Sequence, residues 1–198
     1  MVTGDCLYHN LETVVADAAK AGVCAVQLRE KNADTRTFLD KALALKALLK
    51  AYSIPLIIND RVDIALAAKA DGVHIGQNDM PYSKARTLLG PDAIIGLSVE
   101  TWEDVEAAQP MDLSYIGVSP VFSTPTKTDT KSPWGLEGLA RIQGFSRHTI
   151  VAIGGLNQTN AEAAAGAGAD AIAVVSAVCG AKAPFDAVQR LNMEFQKK

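Results

Sequence analysis

The chain has 198 residues, 48% of them hydrophobic, and a formal net charge of −3. That length suits one domain that buries a sizeable core, and the composition excludes a disordered chain. Mixed charge without a basic stripe gives no sign of nucleic-acid binding. No apolar stretch reaches the roughly 18 residues that a membrane span requires.

The start, Met1-Val2-Thr3-Gly4-Asp5, has neither the basic nor the apolar segment of a secretory signal. The three cysteines, Cys6, Cys24 and Cys179, are widely spaced and odd in number. That pattern suits a reducing, cytoplasmic setting.

In chain order, short apolar runs alternate with amphipathic ones. Seven runs read as strands: 23–28, 55–58, 72–75, 94–98, 115–118, 150–153 and 171–175. They are almost continuously apolar, as expected of parallel strands covered on both faces. Eight helices are expected near 10–21, from Thr35 or Thr37 to about Ala51, and near 62–70, 82–89, 101–108, 136–142, 158–166 and 185–195. Strict alternation demands parallel βαβ units. The expected fold is a single α/β domain over 1–198, a (β/α)8 TIM barrel with a short first strand at Met1-Val2-Thr3. An open doubly wound sheet is the alternative.

In a barrel of this kind, chemistry collects at the C-terminal ends of the strands. After the run 23–28, alternation points Gln27 and Arg29 inward, with Lys31 in the loop above. Solvated loop charge would account for Lys31 alone. Asn59-Asp60 and His74 to Asp79 follow the next two strands. Asp60 and Asp79 suit a magnesium site completed by water and phosphate oxygens, and they equally suit capping of the helices that follow. His74 reads as a structural residue of the barrel wall. Ser98 either meets a ligand or caps a helix.

The long loop 119–131 holds Thr124, Thr126 and Lys127, two hydroxyls and a cation suited to an anion. Gly154-Gly155, with Val175-Ser176 at the next strand end, offers backbone amides as an anion cradle. Two anion-binding regions side by side suggest a transferase that joins two phosphorylated reactants.

Several of these segments occur together and in order in one known family. The segments 26–31 (VQLREK), 58–60 (IND), 72–79 (GVHIGQND), 96–98 (GLS), 120–127 and 151–155 (VAIGG) resemble thiamine-phosphate synthase. The resemblance implies an alkyl transferase of thiamine biosynthesis that uses Mg²⁺. It would join 4-amino-2-methyl-5-hydroxymethylpyrimidine diphosphate to the phosphate of hydroxyethylthiazole, or to its carboxylated form, and release pyrophosphate.

On that resemblance Gln27, Arg29 and Lys31 hold the pyrimidine diphosphate, and Asn59 a phosphate oxygen. Asp60 and Asp79 hold Mg²⁺. Ser98 and Lys127 reach the pyrophosphate and the pyrimidine. Thr124 and Thr126, with the backbone near Gly154, Gly155, Val175 and Ser176, hold the thiazole phosphate. Arg29, Lys31, Lys127 and Ser98 would be catalytic, the three cations by neutralising the leaving pyrophosphate as a pyrimidinylmethyl cation forms and Ser98 by reaching the same groups. A homodimer is a further implication. The first strand is shorter than the family's, and Ser132-Pro133-Trp134 looks like local variation. The related thiazole tautomerase, and a binding protein with a decayed site, are the rival readings.

Overall fold

The computed structural model describes residues 1–124 and 131–197. Its centre is a parallel sheet whose seven strands lie in chain order: β1 (Val26–Leu28), β2 (Leu56–Asn59), β3 (Gly72–Ile75), β4 (Ile94–Val99), β5 (Tyr115–Val118), β6 (Ile150–Ile153) and β7 (Ala171–Ala173). The register runs without a slip: Gln27 opposes Ile57, Asn59 opposes His74, and Ser98 opposes Gly117. Strand ends therefore line up, and the loops after them share one rim.

The helices among the described residues are α1 (Leu11–Lys20), α2 (Thr35–Lys50), α3 (Val62–Ala68), α4 (Tyr82–Leu89), α5 (Trp102–Ala108), α6 (Gly135–Gln143), α7 (Ala161–Gly166), α8 (Ser176–Cys179) and α9 (Pro184–Phe195). Each of the seven strands is followed by a helix. In α2, Phe38, Ala42, Leu45 and Leu49 recur at helical spacing and are all buried. They meet Leu56, Ile58, Val73 and Ile75 of the sheet in one continuous core.

Several boundaries differ from the sequence reading for identifiable reasons. Helix α2 is capped by Asp34, not Thr35 or Thr37; the Asp34 carboxylate accepts from the Thr37 amide at 3.0 Å and its hydroxyl at 2.8 Å. Strand β1 starts only at Val26, because the Val23 amide turns back to Ala18 O (3.2 Å) and closes α1. Gly22, at φ 92°, makes that reversal without a Cβ penalty. Strand β7 ends at Ala173, and Ser176–Cys179 forms the additional short helix α8.

The segment Met1–Thr3 runs beside β1. Gln27 N donates to Met1 O (2.9 Å), and Thr3 N donates to Gln27 O (2.8 Å). On its other side, Val2 N donates to Val174 O (3.0 Å), just past β7. The segment Met1–Thr3 thus bonds to β1 on one side and to the chain just past β7 on the other, and the Val2 side chain is buried.

Candidate active site

A cavity of about 1160 Å³ opens among the strand-end loops and extends down inside the sheet. Twelve of the fourteen site residues expected from sequence line it; Thr126 and Lys127 lie outside the described residues.

One side of the cavity gathers the charges. Gln27 reaches it from β1 and Arg29 from the residue just past that strand, as alternation requires, and Lys31 stands in the loop beyond. The Arg29 amide is fixed by the Thr3 hydroxyl (2.9 Å), and Thr3 is itself buried. Between the two cations Glu30 turns away to Lys41, at 2.8 Å. That pairing engages the carboxylate that lies between Arg29 and Lys31 in the chain.

Asp60 and Asp79 meet across the same side. Asp60 adopts φ 64°, a left-handed conformation that L-residues avoid, with its amide bonded to His74 O (2.8 Å). Such strain is characteristic of functional positions. Neither carboxylate caps a helix: the N-caps of α3 and α4 are Arg61 and Pro81, without side-chain bonds. Asp79 instead accepts from the Gly76 amide (2.7 Å). Although Asp60 stands at the cavity mouth, enclosure by its surroundings raises its carboxyl to about 6. The charge of Asp79 and a hydrogen bond to its carboxyl add to the rise, while Arg29 and Lys31 oppose it. A crowded carboxylate pair of this kind is a hard-oxygen donor set for a divalent cation. Among the described residues no group of three or more His, Cys, Asp or Glu is arranged to hold a metal. The pair would therefore need water and substrate oxygens to complete a coordination shell.

Beneath the charges lies a polar chain. His74 shares one ring nitrogen, Nδ1, with the Tyr115 hydroxyl (3.0 Å) and the other, Nε2, with the Ser98 hydroxyl (2.8 Å). The His74 and Tyr115 rings stack at 5.5 Å, and the Gln27 side chain bonds the Tyr115 hydroxyl. Burial raises the Tyr115 phenol well above its ordinary range, so it stays protonated. Gln77 Nε2 donates to Ser98 O (2.7 Å). Ser98 does not cap α5, which starts from Thr101 in a capping box with Asp104.

The other side is built from backbone. Gly154 and Gly155 both adopt left-handed φ, 99° and 67°. A Cβ on Gly155 would lie 2.7 Å from both Phe122 Cβ and Ser123 O. The loop after β5 packs directly onto the turn, with Phe122 N bonded to Gly154 O (3.0 Å). Thr124, Val175 and Ser176 border the same end of the cavity.

The family profile of thiamine monophosphate synthase matches residues 1–178. The chain belongs to the thiamine monophosphate synthase family. It is 55% identical over 184 residues to the thiamine-phosphate synthase of Albidiferax ferrireducens, covering 93% of this chain and 84% of that one. The enzyme of the same name from Leptospira biflexa is 53% identical over 194 residues, covering 96% and 92%. Among solved structures, thiamine phosphate pyrophosphorylase from Pyrococcus furiosus superposes with a TM-score of 0.89 at 36% identity, over 99% of this chain and 94% of that one. Orotidine 5′-phosphate decarboxylase from Pyrococcus horikoshii, at 17% identity and a TM-score of 0.71, shares the fold alone.

Within this member of the family, sequence reasoning passed over Tyr115, Gln77 and the Glu30–Lys41 pair. The available signal was alternation: Tyr115 and Gly117 of β5 share one phase, Ser119 just past the strand continues it, and all three line the cavity. His74, read as structural, proves to join Tyr115 to Ser98.

Proposed function

We propose that this chain is a thiamine-phosphate synthase. It joins 4-amino-2-methyl-5-hydroxymethylpyrimidine diphosphate to the phosphate of hydroxyethylthiazole and releases pyrophosphate. The observation that carries the reading is the pairing, in one cavity, of a cluster of cations and carboxylates with a Gly-Gly turn. Arg29, Lys31 and the Asp60–Asp79 pair stand on one side, and the Gly154–Gly155 turn on the other. Relatives at 55% and 53% identity bear this name.

In this reading the pyrimidine lies over the Gln27–Tyr115–His74–Ser98 chain, and its diphosphate meets Arg29, Lys31 and Asn59. The carbon–oxygen bond to the diphosphate breaks first, leaving a pyrimidinylmethyl cation, and the thiazole nitrogen then attacks that carbon. No protein nucleophile or strong base is required. The protein positions the two reactants, neutralises the departing charge with Arg29, Lys31 and Lys127, and donates a hydrogen bond from Ser98. Asp60 and Asp79 would hold Mg²⁺, which supplies Lewis-acid stabilisation of the pyrophosphate oxygens when bound. Their crowding, visible in the raised Asp60 carboxyl, supports that assignment. Thr124 and Thr126, with amides near Gly154, Gly155, Val175 and Ser176, would bind the thiazole phosphate.

We read the fold as a closed eight-stranded barrel forming one catalytic domain, with Met1–Thr3 as its first strand. The bonds from Val2 and Thr3 to both Val174 and Gln27 support closure. No described helix is long and apolar enough to cross a membrane, and the three cysteines are free, in keeping with a reducing cytoplasm. A homodimer is expected from the family and is testable by sedimentation.

The test is product analysis with purified chain and both substrates. Thiamine phosphate must appear and must require Mg²⁺. Isomerisation of a carboxylated thiazole phosphate, without condensation, would favour the tautomerase reading instead.

A further inference from the structure

Asn160 stands at the N-cap of α7, where an asparagine normally bonds the first helical amides, and it makes no such bond. Its side chain reaches back instead. Nδ2 donates to Gly155 O at 3.0 Å, and Oδ1 accepts from Asn157 N at 2.8 Å. The two contacts fix which end of the amide is nitrogen, since one faces a carbonyl and the other an N–H. Asn157 Nδ2 approaches the same carbonyl at 3.4 Å.

Asn160 is absent from the cavity lining, whereas Gly155, Leu156 and Asn157 belong to it. The contact therefore grips the Gly-Gly turn from behind. A trans peptide points its carbonyl and the following N–H in opposite directions. Holding Gly155 O on Asn160 consequently turns the Leu156 N–H the other way. Among the described residues that N–H donates to no backbone carbonyl. The neighbouring peptide is pinned in the same manner, with Gly154 O on Phe122 N at 3.0 Å.

From this geometry we infer that Asn160 is a positioning residue for the phosphate-bearing acceptor: it gives up helix capping to lock the Gly154–Gly155 turn with the Leu156 N–H presented to the acceptor's phosphate. The inference rests on the functional reading above for the identity of that acceptor. It needs only an anion at the turn for the rest.

Asn160→Ser is the decisive variant. Serine is as good an N-cap as asparagine, so α7 keeps its start, while the short hydroxyl cannot hold Gly155 O. The KM for the thiazole phosphate is expected to rise about tenfold, the scale of one hydrogen bond to a charged group. The KM for the pyrimidine diphosphate and kcat at saturation should stay within error, while the unfolding temperature falls by only a few degrees, the cost of the two lost side-chain hydrogen bonds. An unchanged KM for the thiazole phosphate, or equal rises for both substrates, overturns the inference.

A second arm uses inorganic phosphate alone as the probe. Phosphate should raise the unfolding temperature of the wild-type chain, and less so that of Asn160→Ser. Equal shifts in the two proteins overturn the role of Asn160. If the wild-type chain turns over neither substrate, the functional reading falls, and the phosphate arm alone decides on Asn160.

Discussion

The rings of Tyr115 and His74 stack below the candidate site because two positions beside them, Gly96 and Gly117, lack side chains. A Cβ on Gly96 would fall within 2.5 Å of Tyr115 Cε2 and Oη, and one on Gly117 would lie 2.9 Å from His74 Cε1. Gly96→Ala therefore forces the Tyr115 ring to move, since carbon atoms do not approach so closely. Overpacking of this kind costs about 1–3 kcal/mol. Displacing the Tyr115 hydroxyl from His74, now 3.0 Å away, adds about 1 kcal/mol. The sum, about 2–4 kcal/mol, corresponds to a fall of roughly 4–16 °C in Tm for a domain of this size. The assay is a double-mutant cycle by chemical and thermal denaturation. In a Tyr115→Leu background the new methyl group has no ring to strike, so the added cost of Gly96→Ala should fall below about 1 kcal/mol. The same cost in both backgrounds would refute the reasoning, because the strain would then lie in the backbone and not against Tyr115.

Four shorter predictions follow from the same structure. In EDTA, the raised Asp60 carboxyl makes the folded chain hold a proton longer than the unfolded chain. Its contribution to stability is complete below about 3.8 and is lost as pH rises through about 6. Asp79→Asn removes the neighbouring charge and should flatten that loss; parallel Tm-versus-pH curves for the two proteins would contradict it. Asp60→Ala and Asp79→Ala should each weaken Mg²⁺-dependent turnover while circular dichroism stays unchanged, and an unaltered Mg²⁺ titration would remove the metal assignment. Lys41→Met frees Glu30 to pair with Arg29 or Lys31, so the KM for the pyrimidine diphosphate should rise several-fold, whereas Glu30→Gln in the same chain should reverse the effect. Phe38→Ala opens a cavity under α2 and should lower stability by about 3–5 kcal/mol in urea titrations.

Strands β3, β5 and β6 were legible to the residue, because short apolar runs there are bounded directly by turn residues. The ends of β1 and β7 were not. Val23 to Ala25 are as apolar as a strand, yet Val23 serves the end of α1 through its bond to Ala18. Helix α8 has four residues, about one turn, and so shows no periodicity for a sequence pattern to reveal. In the site, the inward phase of Gln27 and Arg29 followed from alternation alone. Tyr115 did not, because it begins its strand, whereas the chemistry of this kind of fold is expected at the C-terminal strand ends. Whether Asp60 and Asp79 cap the helices that follow could be decided only by geometry, since an Asp before a helix looks the same whether or not it caps. Asn160 was hidden for a similar reason: its position is that of a helix cap, and nothing in the sequence shows that its side chain faces backwards.

The most direct measurement is pyrophosphate release by the purified chain, followed with both substrates, with each alone, and with or without Mg²⁺. The account predicts release only when the metal and both substrates are present, with one thiamine phosphate formed per pyrophosphate. A folded chain that releases no pyrophosphate under those conditions would contradict it.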